Sequence, residues 1–141
     1  MPALTADRNT TRETQDPQAN YAPVAASTTI FRGSIVFNNA SGYAVPAEDT
    51  ANFSLAGVAR EQVDNSAGAN GDKTVELYSS GIFHFAHSGL VQADVGKSVY
   101  AVDDQTVALA ATTTNDIKVG TIKRWISSSS VAVELNPHTG A

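Results

Sequence analysis

The sequence predicts an all-β fold, a small barrel or sandwich, led by an extended N-terminal arm. Three observations carry that expectation. The first 25 residues, MPALTADRNTTRETQDPQANYAPVA, offer no large apolar side chain between Leu4 and Tyr21 and contain Pro17 and Pro23, so they lack the surface to fold alone. From Thr28 onward, short β-favouring runs are separated by Gly, Asn, Asp and Ser. Those runs recur at intervals of roughly 8–12 residues with almost no helical periodicity. The resulting division is an arm at 1–25, a β domain at 26–136 and a tail at 137–141.

Each element follows from its local pattern. The arm is expected to stay extended until bound, because ordering it costs entropy that its burial cannot offset. Fully stretched it reaches about 80 Å, enough to cross onto a neighbouring molecule. Ser27–Phe31 and Ser34–Phe37 read as strands around Arg32-Gly33, where the glycine marks a bulge or bend. Tyr43-Ala44-Val45 is a strand stopped by Pro46, and 47–52 a polar connection. Leu55–Ala59 is a compact apolar strand, followed by a loop over Asp64–Asp72.

Lys73–His84 gives the strongest strand signal, with Val75 and Leu77 alternating against Glu76 and Tyr78 before a bend at Gly81. Val91–Val95 is a short helical turn closed by Gly96. Ser98–Val102 and Thr106–Leu109 are strands joined by an Asp103-Asp104-Gln105 turn. Val119–Ile126 and Val131–Leu135 form a last hairpin around Ser127–Ser130. Strict alternation sets Phe83 and Phe85 against Ile82, and Ile122 and Ile126 against Trp125. Apolar groups on both faces imply covered outer positions, by an oligomer or by loops and barrel ends. The expected core is Ile35, Phe37, Val58, Val75, Leu77, Phe83, Val99, Ile122, Val133 and Leu135.

Composition narrows the function. Hydrophobic residues make up 42% of the chain, charged residues 16%, and the net charge is −5. Nine scattered basic residues argue against nucleic acid, which demands clustered Lys and Arg. With no cysteine, disulfides and thiolate metal sites are excluded. No apolar run approaches the length of a membrane span, and no charged start precedes an apolar stretch. A soluble chain made in a cytosol is expected.

Catalytic patterns are sought with little result. Adjacent Asp103 and Asp104 face opposite ways in a strand and read best as a solvated turn. His84 and His87 also fall on opposite faces, leaving only His138 to complete a metal set. No serine stands in a Gly-x-Ser-x-Gly elbow. The loop Gly68–Thr74 fails as a phosphate loop because Asp72 puts negative charge beside Lys73. Asn9, Asn39 and Asn52 head Asn-x-Ser/Thr triplets expected by chance in so polar a chain. Trp125, the single tryptophan, is either an interface anchor or a cap on the barrel end.

Taken in order, several segments resemble a known family. They are Leu4–Thr10, Ile30–Val36, Leu55–Ala59, Glu61–Asn65, Ser80–Phe83, Ala93–Tyr100, Val102–Val107, Val119–Ile122 and Val131–Leu135. In order and spacing this pattern resembles the small head-decoration, or capsid cement, proteins of tailed bacteriophages. The acidic Arg12–Asp16 portion departs from the pattern. The resemblance implies a small β-tulip barrel, assembled as a homotrimer on the outer capsid surface of a virion, with no catalysis and no cofactor. It implies two partners, the major capsid protein and other copies of the chain, with neither nucleic acid nor membrane among them. The expected function is to stabilise the head against internal pressure.

On that reading the capsid-binding arm comprises Leu4, Thr5, Ala6, Arg8, Asn9, Thr10 and Arg12. Added to a sheet edge, it turns Leu4, Ala6, Arg8 and Thr10 to one side and Thr5, Asp7 and Asn9 to the other. Arg8 and Arg12 are either partners for acidic shell residues or simply solvated. Trp125, Tyr78 and Phe85 are the candidate subunit interface. The alternative is a virion surface module binding host glycans on a platform of Trp125 with Tyr78 or Tyr43. A hydrolase built from His84 and Asp94 is a third, poorly supported option.

Overall fold

The computed structural model describes residues 2–11 and 19–135, and among them the chain is all-β. The strands are β1 Ala19–Pro23, β2 Thr28–Ile30, β3 Ile35–Asn38, β4 Ala44–Pro46, β5 Ser54–Ala59 and β6 Val63–Asn65. They continue with β7 Thr74–Tyr78, β8 Ile82–His87, β9 Ser98–Ala101, β10 Thr106–Ala108, β11 Lys118–Ser127 and β12 Ser130–Leu135. A 3₁₀ turn, Gln92–Asp94, stands between β8 and β9, inside the helical turn expected at Val91–Val95.

Strands β10, β8, β12, β11 and β9 close, in that order, into a five-stranded barrel. Its neighbours are antiparallel except β8 and β10, which run parallel. A second set forms an antiparallel sheet in the order β1-β7-β5-β3-β4, and β2 pairs with β6. The two ends of the five-stranded sheet meet: Val24 forms a parallel bridge with Ala44, and the Ala25 N–H donates to the Ala44 carbonyl at 3.0 Å.

Alternation along β3 explains how these layers stack. Ile35 and Phe37 face the barrel cluster containing Phe83, Phe85, Val99, Ile122 and Val133. Val36, between them, points into a second cluster with Ile30, Val63, Val75 and Leu77. Three consecutive buried residues in one strand therefore mean a sheet covered on both faces, by the barrel on one side and the β2–β6 ribbon on the other. All ten expected core residues are buried. Each buried Phe contributes about 1.5–3 kcal/mol relative to exposure.

Several expectations need correction. Residues 19–25 belong to the body rather than the arm, since β1 pairs with β7 along its length. Ala22 and Val24 bury into the second cluster, and Pro23 is tolerated because β1 lies at a sheet edge. Pro46, opposite Val36, is itself the last residue of edge strand β4, so the strand ends where expected but takes the proline in. The loop read from Asp64 begins with a strand, β6, and the stretch from Lys73, read with a bend at Gly81, parts there into β7 and β8, which lie in different sheets.

A bulge overturns the expected phase of the last hairpin. Ile122 pairs with Val133 and Arg124 with Ala132, so Lys123 is an extra residue on β11. One inserted residue reverses the alternation. Trp125 consequently packs against the same cluster as Ile122, and Ile126 turns outward. Arg12 and the tail at 137–141 lie outside the described residues.

Candidate functional site: the docked N-terminal segment

The N-terminal residues 2–11 run over the outside of the body in a groove made by three separate pieces of chain. The first is the tight turn after β2. The Ser34 N–H closes it on the Phe31 carbonyl at 3.2 Å, and Gly33 takes a φ of +88°, a conformation that side chains disfavour. A Cβ on Gly33 would also strike the Arg8 carbonyl and the Thr10 hydroxyl. Glycine is what lets the segment lie down here.

Hydrogen bonds fix the segment on that turn. The Arg8 N–H donates to the Arg32 carbonyl at 2.8 Å, and the Arg32 N–H donates back to the Asp7 carboxylate at 3.1 Å. The Thr10 hydroxyl donates to the Gly33 carbonyl at 2.5 Å. The second piece of the groove is β8, whose His84 N–H donates to the Thr11 carbonyl at 2.9 Å. The His84 carbonyl accepts from the Arg8 guanidinium at 3.2 Å.

The third piece is the Asp103–Gln105 turn. Asp104 is only 2% exposed, so the expectation of a solvated turn fails. Its main-chain carbonyl accepts the Ile35 N–H at 2.8 Å, which pulls the residue under the sheet. Its carboxylate accepts the Leu4 N–H at 3.0 Å, and Gln105 donates its side-chain amide to the Pro2 carbonyl at 2.7 Å. Burial pushes the Asp104 carboxyl above its ordinary range, opposed by the Leu4 N–H and by Arg8. Burial in turn lowers the Arg8 guanidinium, while Asp104 works against that shift.

The segment's own pattern fits this placement. Leu4, Arg8 and Thr10 are half-buried against the body, whereas Thr5, Ala6, Asp7 and Asn9 are exposed. The expected alternation holds except at Ala6, where the chain bends. Arg8 thus faces its own body rather than solvent. A cleft of about 250 Å³ remains between Arg8–Thr10 and the side chains of Arg60, Tyr78 and Phe83.

The three residues expected at a subunit interface all lie in the barrel cluster or pack against it. Phe85 is fully buried in the barrel core and presents nothing to a neighbouring subunit. Its place on β8, opposite Val131 of β12, aims it inward. Tyr78 is half-buried, its ring tilted on Phe83 at 5.7 Å between centroids. The Arg60 guanidinium covers that ring at 4.7 Å and pairs with Glu76 at 3.0 Å. Trp125 packs on the barrel and donates its indole N–H to the Leu90 carbonyl at 2.8 Å, the geometry of a barrel cap.

The other chemistry-bearing residues serve the body. His87 is 2% exposed; its Nδ1 accepts the Leu90 N–H at 3.2 Å and its Nε2 donates to the Ser127 carbonyl at 2.8 Å. Asp94 caps its 3₁₀ turn by accepting the Val91 N–H at 2.9 Å, and pairs with Lys97 at 2.9 Å. The Val91 N–H, followed by Lys97, holds its carboxyl below the usual range. Among the described residues, no three His, Asp or Glu side chains converge to hold a metal ion.

Sequence reasoning missed the groove's receptor residues, Gly33, Asp104 and Gln105. Asp104 carries no local signal, because an Asp-Asp pair in a polar turn reads the same whether solvated or covered. Comparison with family models, with curated proteins and with solved structures returns no match for this chain.

Proposed function

We propose that this chain is a decoration protein of a tailed-bacteriophage head, binding the outer capsid surface as a trimer and stabilising the shell against internal pressure. The observation that carries the reading is the N-terminal segment. It is an extended peptide held on the outside of the β body by hydrogen bonds, two of them between main chains and the others using a side chain on one partner. The two main-chain bonds, Arg8 N–H to Arg32 and His84 N–H to Thr11, are of the kind that an exposed strand edge on another protein offers. A clamp touching several shell subunits opposes their separation, and three linked copies turn weak single contacts into firm attachment. The order of the motifs quoted above supports the same assignment, which includes no catalytic step.

The test is mixing purified protein with undecorated heads. Saturable binding in multiples of three is expected, with heads that survive higher temperature. A chain lacking residues 2–11 is expected to bind at least about tenfold more weakly, since one of several linked attachments is gone. Failure of the intact protein to bind such heads sinks the proposal.

A further inference from the structure

We propose that the groove formed by Arg32-Gly33, His84 and Asp104-Gln105 also receives residues 2–11 of a second copy of this chain, so that neighbouring bodies exchange N-terminal segments. This goes beyond the capsid reading and stands without it. The groove is built for this peptide and no generic one. Gly33 makes room for the Arg8 carbonyl and the Thr10 hydroxyl, Asp104 accepts the Leu4 N–H, and Gln105 reaches the Pro2 carbonyl. Every one of these contacts is made by residues before position 12. The identical segment of another copy satisfies them all, so exchange gives up no contact and only the tether decides.

Thr11 is anchored at His84, and Ala19 lies opposite Tyr78. Tyr78 and Phe83 touch, with 5.7 Å between ring centroids, so both anchors sit at one corner of the body. Seven residues, 12–18, separate these anchors, and a chain of seven residues can span up to ~25 Å. In dilute solution the tether keeps each segment in its own groove through an effective concentration in the millimolar range. Where bodies are crowded to similar spacing, a neighbour's groove competes on equal terms.

The buried carboxylate explains why a sister segment, rather than nothing, fills a groove whose own segment has left. An empty groove strips Asp104 of the Leu4 N–H and of Arg8 nearby, two groups that favour its charged form. Refilling by the next copy restores both. Head-to-tail exchange of this kind closes into a ring when the rotation between copies permits.

The chain has no cysteine, which makes the test direct. Asp7 and Arg32 meet at 3.1 Å in the groove. Two single variants, Asp7→Cys and Arg32→Cys, one carrying a size tag, are mixed and oxidised. Exchange predicts a disulfide-linked heterodimer whose yield rises about tenfold for each tenfold rise in concentration until saturation. The double variant in one chain, oxidised when dilute, shows that the pair can bond. A double variant that closes on itself while the mixture gives no heterodimer at any concentration overturns the proposal. If the pair never bonds, sedimentation decides: association that grows with concentration and is lost in Gly33→Ala supports exchange. Wild-type protein that never associates, or association untouched by Gly33→Ala, overturns it. Neither result bears on whether the intact protein binds heads, which the mixing experiment reads separately.

Discussion

The barrel and the segment lying across it are ordered by opposite means. Inside the barrel, Phe83, Phe85, Ile122 and Val133 fill a common volume with apolar side chains, and order comes from packing. The N-terminal segment contributes none of the clustered core residues. It is held by hydrogen bonds that Leu4, Arg8 and Thr10 donate, the first to a covered carboxylate, and by one that Thr11 accepts. Packing is costly to undo and hard to transfer. Hydrogen bonds to main chain are cheap to swap for equivalent ones, and that makes the segment suited to attachment.

The difference can be broken first at the barrel. Phe85→Ala is expected to cost about 3–5 kcal/mol, transfer and cavity combined, read as the shift in a urea unfolding curve. A loss under about 1 kcal/mol would mean that this core is not close-packed. An intermediate effect belongs to the groove. Gly33→Ala forces a side chain into a positive φ and against the Arg8 carbonyl, costing about 1–2 kcal/mol. The sharper readout is amide exchange: Arg8 and His84 should lose protection while Phe83 and Val133 keep theirs.

The electrostatic arm of the comparison comes next. Because burial holds the Asp104 carboxyl above its unfolded value, its stabilising contribution is full at pH below the ordinary carboxylate range. It is lost as pH rises through the raised folded value. Asp104→Asn cannot titrate, so wild-type stability minus variant stability should decline from acid toward neutral pH in a series of thermal melts. Asp49 supplies the opposite sign. Its carboxyl is lowered chiefly by the Thr114 N–H, so its contribution is present above the ordinary range and lost as pH falls. At the bottom of the scale, Asn9→Ala on the exposed side of the segment should change stability by no more than about 0.5 kcal/mol.

Legibility in the sequence followed the same division. Alternation in Val75-Glu76-Leu77 identifies inward residues correctly, because burial on one face of a strand imposes a period of two; the same alternation sets Phe85 beside Phe83, although Phe85 is read as an interface residue. The 3₁₀ turn was visible from its closing glycine, Gly96. Trp125 was given the wrong phase because no residue type announces the bulge at Lys123; only pairing with β12 creates it. β1 is hidden by Pro23 and its small residues, since its partner β7 supplies the order. The groove was least visible. Gly33 read as a bend and Asp104 as a solvated turn, although they meet the same segment through contacts distant in sequence.

The bridge between Val24 and Ala44 has a consequence for life at high density. A closed barrel has no free margin, and this contact draws the two outer strands of the companion sheet together. Unpaired margins are where β proteins stick indiscriminately to one another. A body with fewer such margins is better suited to standing side by side with many copies of itself.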